Sequence, residues 1–300
     1  MTATQADQTR DNLRAQQGEP PRQSSRAWYR MLARDRFATG AGILLLLIII
    51  AVILAPVLAP YDPEKAQSGA RLLAPSSDHW FGTDELGRDV LSRILHGGRI
   101  SLTIGFLAVG LGLGIGGTLG LLAAYFRKLD NPIMRVMDIL LALPGILLAI
   151  AIVAALGPGV YEVMIAVGIG SIPVFARVTR SAVLGTKSET YVEAAQSVGA
   201  GDSRIIVRHI LPNSFAPVLV YATLQLATAI LSASILSFLG LGPQPPTPEW
   251  GAMVAAGRRY MTDTPHVILA PGFAIFIVIL CFNILGDGLR DALDPSLHQR

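Results

Sequence analysis

The sequence has little charge and almost no cysteine. Only 15% of its 300 residues are Asp, Glu, Lys or Arg, against about 25% in typical soluble proteins. By contrast, 52% are apolar, and the mean hydropathy is +0.51. The single cysteine, Cys281, cannot form an internal disulfide. These shortages exclude a secreted disulfide scaffold, a disordered tail protein and a nucleic-acid reader, and they indicate a membrane-embedded chain.

The sequence also lacks the common motifs of nucleotide and metal chemistry. It contains no G-x-x-x-x-G-K-[ST] loop, no H-E-x-x-H and no paired-cysteine metal spacing. A formal G-x-G-x-x-G match begins at Gly112, but it lies inside the uncharged run from Ile100 to Phe126 and has no acidic partner after it. We predict instead that Gly112, Gly116 and Gly120, spaced by four, form a smooth helix face for close packing in lipid.

Long uncharged runs mark the segments that can cross a bilayer, which needs about 20 helical residues. Five runs are clear: Phe37 to Tyr61, Ile100 to Phe126, Ile139 to Tyr161, Ile210 to Pro248 and Val267 to Gly286. A sixth candidate, Val163 to Ala176, is shorter and spans only if Glu162 and Arg177 lie at the two interfaces. The turn sequence Gly157-Pro158-Gly159 precedes it. The predicted fold class is an all-α integral membrane protein with six transmembrane helices.

The distribution of Lys and Arg predicts the orientation. With six spans, 17 of the 24 basic residues fall on one side, and short basic loops stay in the cytoplasm. Both termini are therefore predicted to be cytoplasmic, and no signal peptide is expected. The predicted order is a polar tail (1–36), a first span (37–60), an extracytoplasmic loop (61–99), a core with five spans (100–287) and a C-terminal tail (288–300).

The densest set of potential metal ligands precedes the second span: His79, Asp84, Glu85, Asp89 and His96. A metal-dependent membrane enzyme is therefore one hypothesis. The interleaved Arg88, Arg93 and Arg99 favour another interpretation, in which arginines pair the carboxylates of an amphipathic segment. No histidine spacing singles out a catalytic base. We expect no catalytic residue, no metal and no cofactor on this chain.

The loop between the fourth and fifth spans predicts two short helices. Residues 189–198 are good helix formers, Gly199 to Gly201 breaks the helix, and Asp202 is placed to cap a second helix that ends before Pro212. Two short helices at an angle would project from the membrane. We call residues 189–212 the knob.

The knob carries a specific pattern. Glu193-Ala194-Ala195 is followed by Gly199 and then by Ile210-Leu211-Pro212. This pattern resembles the E-A-A loop of permease subunits of bacterial ABC importers. His209 stands where the general family has Ile, a departure familiar from the peptide and nickel importers. The resemblance implies that the coupling loop, 180–213, docks in a groove of an ATPase subunit through Glu193, Ala194, Ala195, Gly199, His209, Leu211 and Pro212.

Further segments extend the resemblance over residues 38–295. H-W-F-G-T-D-E-L-G-R-D at 79–89, S-F-L-G-L-G at 237–242, P-E-W-G at 248–251 and N-I-L-G-D-G-L-R-D at 283–291 are similar to the C-subunit type of the dipeptide, oligopeptide and nickel permeases. Segments 143–150, 171–177 and 270–272 look most like the second permease of glutathione importers.

The resemblance implies a type I ABC importer permease fold in the bacterial cytoplasmic (inner) membrane. It also implies a second permease as heterodimer partner, two ATPase subunits that bind ATP and Mg, and an extracytoplasmic binding protein that delivers a peptide. Import of nickel or another small solute is the alternative. No nucleic acid is expected as a partner, and membrane lipid surrounds the chain.

Polar groups and helix interruptions inside the spans are candidates for the substrate pathway. They are Pro144, Ser171, Pro173, Gln225, Ser232, Ser234 and Asn283. Each has a simpler interpretation as an interhelical hydrogen bond or a kink. Within the segment 241–266, Trp250, Arg258 and Arg259 are candidates for contact with the binding protein.

Overall fold

A computed structural model of the chain describes residues 35–293, and in this range the regular secondary structure is helical apart from one isolated bridge between Thr83 and Asp89. The tail predicted for residues 1–34 and the last residues from 294 lie outside this range. The helices are α1 (Arg36–Ile53), α2 (Ala55–Leu58), α3 (Val90–Gly112), α4 (Thr118–Tyr125), α5 (Arg127–Leu141), α6 (Gly145–Leu156), α7 (Val160–Lys187), α8 (Thr190–Ser197), α9 (Asp202–Ile205), α10 (Leu211–Phe238), α11 (Trp250–Gly257) and α12 (His266–Leu293).

Two π-helical segments each join a short helix to a long one. Leu113–Gly117 connects α3 to α4, and Ile206–Ile210 connects α9 to α10. Five helices are then long and apolar enough to cross a membrane: α1, α3 to α4, α7, α9 to α10 and α12. A sixth span results if α5 and α6, which are bent by 87° at their junction, count as one.

The span that is interrupted in the structure is the third, formed by α5 and α6. The charge pattern had instead indicated the fourth span as the weakest candidate. The fourth, α7, is a helix of 28 residues that continues past Arg177 to Lys187, so the limits 163–176 were too narrow. The predicted span ended at its first charged residue, but Arg177 and Arg180 are paired with Asp138 and Asp130 of α5, each at 2.6 Å. The predicted break before α7 is confirmed, because α6 ends just before Gly157.

The glycine face of the second span packs directly against α7, as predicted. A Cβ on Gly116 would lie 2.8 Å from the Cβ of Phe175 and would overlap the carbonyl oxygen of Ile172. Gly112 and Gly120 face α7 in the same way. Small residues allow two helix backbones to approach closely in lipid, and here they fix the second span against the fourth.

Helix α10 is the centre of the bundle. One buried cluster joins it to α1, α3, α11 and α12 and includes Ile230, Trp250 and Phe282. A second cluster joins it to α3, α6 and α7 and includes Phe175 and Leu236. A movement of α10 would therefore displace side chains in both clusters.

Carboxylates set the start of two spans. The side chain of Asp35 accepts hydrogen bonds from the backbone N–H of Phe37 and Ala38, and that of Asp89 accepts one from Ser92. Such caps satisfy backbone donors that have no partner within the helix. The second of these helices, α3, begins at Val90, before the uncharged run that starts at Ile100, and it includes Arg93 and Arg99. The loop predicted for residues 61–99 is therefore shorter than expected.

Candidate functional site

The knob contains α8 and α9, joined by a turn in which Gly199 has a φ of +81°, and it extends through the π-helical segment to the first residues of α10. This left-handed conformation suits glycine, since other residues are strained there. Two details differ from the sequence prediction. Gly201, not Asp202, is the N-cap of α9, and Asp202 is the first helical residue.

The helix also does not end before Pro212. It continues from α9 through the π-helical segment into α10 without a break. Pro212 lies in the first turn of α10, where the absence of a backbone N–H is tolerated. The second knob helix and the fifth span are therefore one helix of 37 residues.

A small apolar core holds the knob against the bundle. Val192, Ile205 and Ile210 are buried together with Ala124 and Val183, which lie near the ends of α4 and α7. The knob is thus packed against the second and fourth spans and not suspended between two loops.

Polar contacts reinforce this core. The Tyr125 hydroxyl donates a hydrogen bond to Oδ1 of Asp202 at 2.6 Å. The ammonium of Lys187 donates to the carbonyl oxygen of Tyr125 at 2.8 Å and lies 5.0 Å from the centre of its ring. These contacts join the end of α4, the end of α7 and the start of α9.

Two apolar side chains of the knob are exposed. Val198 is 85% exposed and Val207 is 65% exposed, on either side of the Gly199 turn. Motif reasoning had not singled out either valine, although apolar residues in a polar segment could have indicated them. Large exposed apolar groups are typical of contact surfaces when they are contiguous.

The seven predicted coupling residues all lie on or beside the knob. Six of them lie in α8, in the Gly199 turn or at the start of α10, and each of the six is exposed or half-buried: Glu193, Ala194, Ala195, Gly199, Leu211 and Pro212. His209 is half-buried, and its ring centre lies 6.2 Å from that of Tyr191. Burial, and to a smaller extent the nearby Glu189, raises the pKa of Tyr191. Its phenol therefore stays protonated at neutral pH.

Three predicted pathway residues meet in one cavity. Ser171 of α7 and Gln225 and Ser232 of α10 line a volume of about 160 Å³, which is closed on another side by α6. Thr228 lines the same cavity and was missed. The spacing of residues 225, 228 and 232 places them on one helix face, a polar stripe that the sequence could have indicated. The cavity offers uncharged hydrogen-bonding groups.

The other four pathway candidates are not part of this lining. Pro144 is the N-cap of α6, next to the cavity residue Gly145. Pro173 is buried within α7, and Asn283 is exposed on α12. Ser234 is buried where the backbone of Gly251 approaches it, so it lies beneath α11.

The structure corrects the role expected for Trp250. Its side chain is 1% exposed, and the indole N–H donates to the carbonyl oxygen of Ile94 at 2.9 Å. Gly98 makes room for this ring, because a Cβ there would lie 2.8 Å from it. Trp250 is thus unable to contact another protein, whereas Arg258 and Arg259 are exposed just beyond α11.

Of the three carboxylates in the predicted ligand set, Asp84 and Glu85 are paired with arginines, whereas Asp89 contacts Nδ1 of His79 at 2.9 Å. Arg88 contacts Asp84 at 2.7 Å and Glu85 at 3.3 Å, and Arg93 contacts Asp84 at 3.4 Å. Arg99 is exposed and outside this network. Between residues 35 and 293, no group of three or more His, Cys, Asp or Glu side chains is arranged to hold a metal ion.

Comparison with known proteins agrees with this architecture. Residues 116–299 match the family model of the binding-protein-dependent transport system inner membrane component, and residues 23–75 match the N-terminal TM domain of oligopeptide transport permease C. The chain is 51% identical over 274 residues to the glutathione transport system permease protein GsiD of Pectobacterium atrosepticum, covering 91% of each chain. It is 47% identical over 270 residues to the dipeptide transport system permease protein DppC of Alkalihalophilus pseudofirmus, covering 90% of this chain and 89% of that one.

Among solved structures, a chain of the inward-facing MetNI methionine ABC transporter has a TM-score of 0.57 at 19% identity, covering 67% of this chain and 97% of that chain. At this identity the likeness concerns the fold. Fold and sequence together define a multi-pass transport subunit of the ABC importer class, not an enzyme. The chain belongs to the family of binding-protein-dependent transport system inner membrane components.

Proposed function

We propose that this chain forms one half of the translocation pathway of an ATP-driven importer of short peptides, a class that includes dipeptides, oligopeptides and glutathione. The names of the relatives support this substrate class, since they are glutathione and dipeptide permeases at 51% and 47% identity. Import of nickel or another small solute is the second candidate, because the knob pattern with His209 occurs in such importers as well.

The knob is the observation that carries the proposal. The full sequence has no phosphate-binding loop, so the energy for transport must come from partner subunits that bind ATP and Mg. The knob presents the exposed side chains of Val198, Val207 and Glu193. Docking of this surface in a groove of an ATPase subunit would bury the valines.

The continuous helix would transmit a movement of the knob to the cavity. The second knob helix and the cavity residues Gln225 and Ser232 belong to one helix, Asp202–Phe238. Closure of two ATPase subunits would move the knob and, through this helix, the wall of the cavity. Switching of the cavity between the two sides of the membrane is then a rigid-body movement.

The second permease would complete the pathway. Helix α6 buries only Ala149 and Val153 against the rest of the chain, so most of its surface is free for a neighbour in the membrane. The cavity beside it has no charged side chain in its lining. Such a passage selects weakly, which leaves specificity to an extracytoplasmic binding protein that contacts Arg258 and Arg259.

The orientation follows from the same proposal. An ATPase is cytoplasmic, so the knob and both termini face the cytoplasm of a bacterium, and α11 faces outward. The excess of basic residues on the knob side agrees with this orientation.

Charge reversal in the knob tests the coupling. In the Glu193→Arg variant we expect normal insertion but strongly reduced peptide uptake, because the docking surface then carries the opposite charge. Glu64→Arg, at an exposed position before the second span, is the matched control and should transport normally. Normal uptake by Glu193→Arg with normal assembly would refute the coupling role.

Co-purification tests the assembly itself. Tagged chain extracted gently from its native membrane should carry a second permease and ATPase subunits, and the purified complex should take up labelled dipeptide or glutathione in vesicles supplied with binding protein. A chain that purifies alone and retains an activity abolished by a chelator would instead favour the metal-dependent enzyme.

A further inference from the structure

The contact between Tyr125 and Asp202 joins parts of the chain that are far apart in sequence. Tyr125 is the last residue of α4, at the end of the second span, and Asp202 is the first residue of α9 in the knob. Their hydrogen bond of 2.6 Å has a charged acceptor, and such bonds are about twice as strong as neutral ones.

Lys187 fixes the tyrosine in place. Its ammonium donates to the carbonyl oxygens of Ala124 and Tyr125, at 3.4 and 2.8 Å, which lie at the C-terminal end of α4. It also lies over the Tyr125 ring, and Phe126 packs edge-on against that ring. The hydroxyl is therefore held in one direction, towards Asp202.

The knob has no direct covalent connection to the second span. The chain joins it only to α7, which precedes it, and to α10, which follows it. Along the chain, the knob is linked to α4 only through the whole of α7, α6 and α5, so the direct links between the knob and α4 are non-covalent. They include the Tyr125 bond and the packing of Ala124 against the knob core.

We propose that Tyr125 is a positioning residue that ties the knob to the second span, so that one displacement of the knob moves the second, fourth and fifth spans together. Gly116 and Gly120 already hold the second span rigidly against α7. The hydrogen bond from Tyr125 to Asp202 adds a connection between the second span and the knob. The inference rests on the proposed function, because it requires an ATPase that moves the knob.

The Tyr125→Phe variant removes one oxygen atom and keeps the ring, its contact with Lys187 and its packing. In the complete complex reconstituted in vesicles, we expect the ATPase subunits to co-purify and to hydrolyse ATP. The amount of peptide imported per ATP should fall roughly five-fold or more, the lower end of the coupling seen between linked sites. A residue that merely stabilised the fold would lower import and ATP hydrolysis together.

Variants at Asp202 test whether the bond itself is responsible. Asp202→Ala should match Tyr125→Phe, and the double variant should be no worse than either, because both remove the same bond. Asp202→Asn keeps an oxygen acceptor and should retain most of the coupling. The control is Ser188→Ala, because the Ser188 hydroxyl, just beyond the end of α7, donates to the carbonyl oxygen of Gly185 in that helix. It should leave import per ATP unchanged.

Three results would overturn the inference: unchanged import per ATP in Tyr125→Phe, additive losses in the double variant, or equal losses in Asp202→Asn and Asp202→Ala. If Tyr125→Phe fails to accumulate in the membrane, the comparison of the two variants at the exposed Asp202 decides alone. Failure of the wild-type chain to bind any ATPase would instead refute the proposed function, and the two failures are therefore distinguishable.

Discussion

Replacing Gly116 by alanine adds one methyl group where the second and fourth spans touch. The new carbon would overlap the carbonyl oxygen of Ile172 and lie 2.8 Å from the Cβ of Phe175 and 3.2 Å from the backbone nitrogen of Ala176. These neighbours are backbone or the first carbon of a side chain, so none can rotate away. Overpacking of this kind costs about 1–3 kcal/mol.

The matched variant is Gly114→Ala, two residues away in the same π-helical segment. A Cβ at Gly114 would meet nothing within 4 Å. In a helix, alanine is favoured over glycine by about 1 kcal/mol, so this variant should be neutral or slightly more stable. The two substitutions are chemically identical, and they differ only in the helix face.

Thermal unfolding of the detergent-solubilised chain measures the difference. We expect Gly116→Ala to lower the Tm by about 2–10 °C, because each kcal/mol corresponds to a shift of a few degrees for a chain of this size. Gly114→Ala should stay at or above the wild-type Tm. Equal values for the two variants, or a higher Tm for Gly116→Ala, would refute close packing between the two spans at this face.

The remaining predictions concern the knob, the far end of the bundle and the link between α5 and α7. Gly199→Val should uncouple import from ATP hydrolysis, since a φ of +81° costs a bulky L-residue about 1–2 kcal/mol. Gly201→Ala, with a φ of −70°, is the control, and equal import by both would contradict this. Trp250→Ala should destabilise the fold by about 3–5 kcal/mol, measured as a large fall in Tm, and an unchanged Tm would argue against burial of the indole. Asp130→Asn removes the carboxylate that accepts two hydrogen bonds of 2.6 Å from Arg180 and should cost about 0.5–1 kcal/mol at low salt. At high salt, the difference in Tm between this variant and the wild type should become smaller. A difference that does not change with salt would refute a screened ion pair.

The amino-acid sequence predicts the helical membrane fold well because hydropathy and charge are local properties. A span appears as a run without charge, and a turn such as Gly157-Pro158-Gly159 appears as residues that end a helix. The glycine spacing at 112, 116 and 120 likewise predicts a packing face from one segment. Each of these features is read within a single turn or a single span.

The same local reasoning failed where a distant residue changes the meaning of a local signal. Arg177 ended the predicted fourth span, but its partner Asp138 lies on α5, and the helix continues. Trp250 was expected at a surface, but Gly98 of another helix makes room for its ring. Neither partner is indicated by its own sequence neighbourhood.

The sequence by itself determined the membrane class, the approximate spans and the position of the knob. Tertiary structure decided the 87° bend between α5 and α6, the meeting of Ser171, Gln225 and Ser232 in one cavity, and the tie between Tyr125 and Asp202. These features depend on how each helix is rotated and shifted along its axis. Rotation and shift are set by packing between whole helices, so they emerge only when all the helices are assembled.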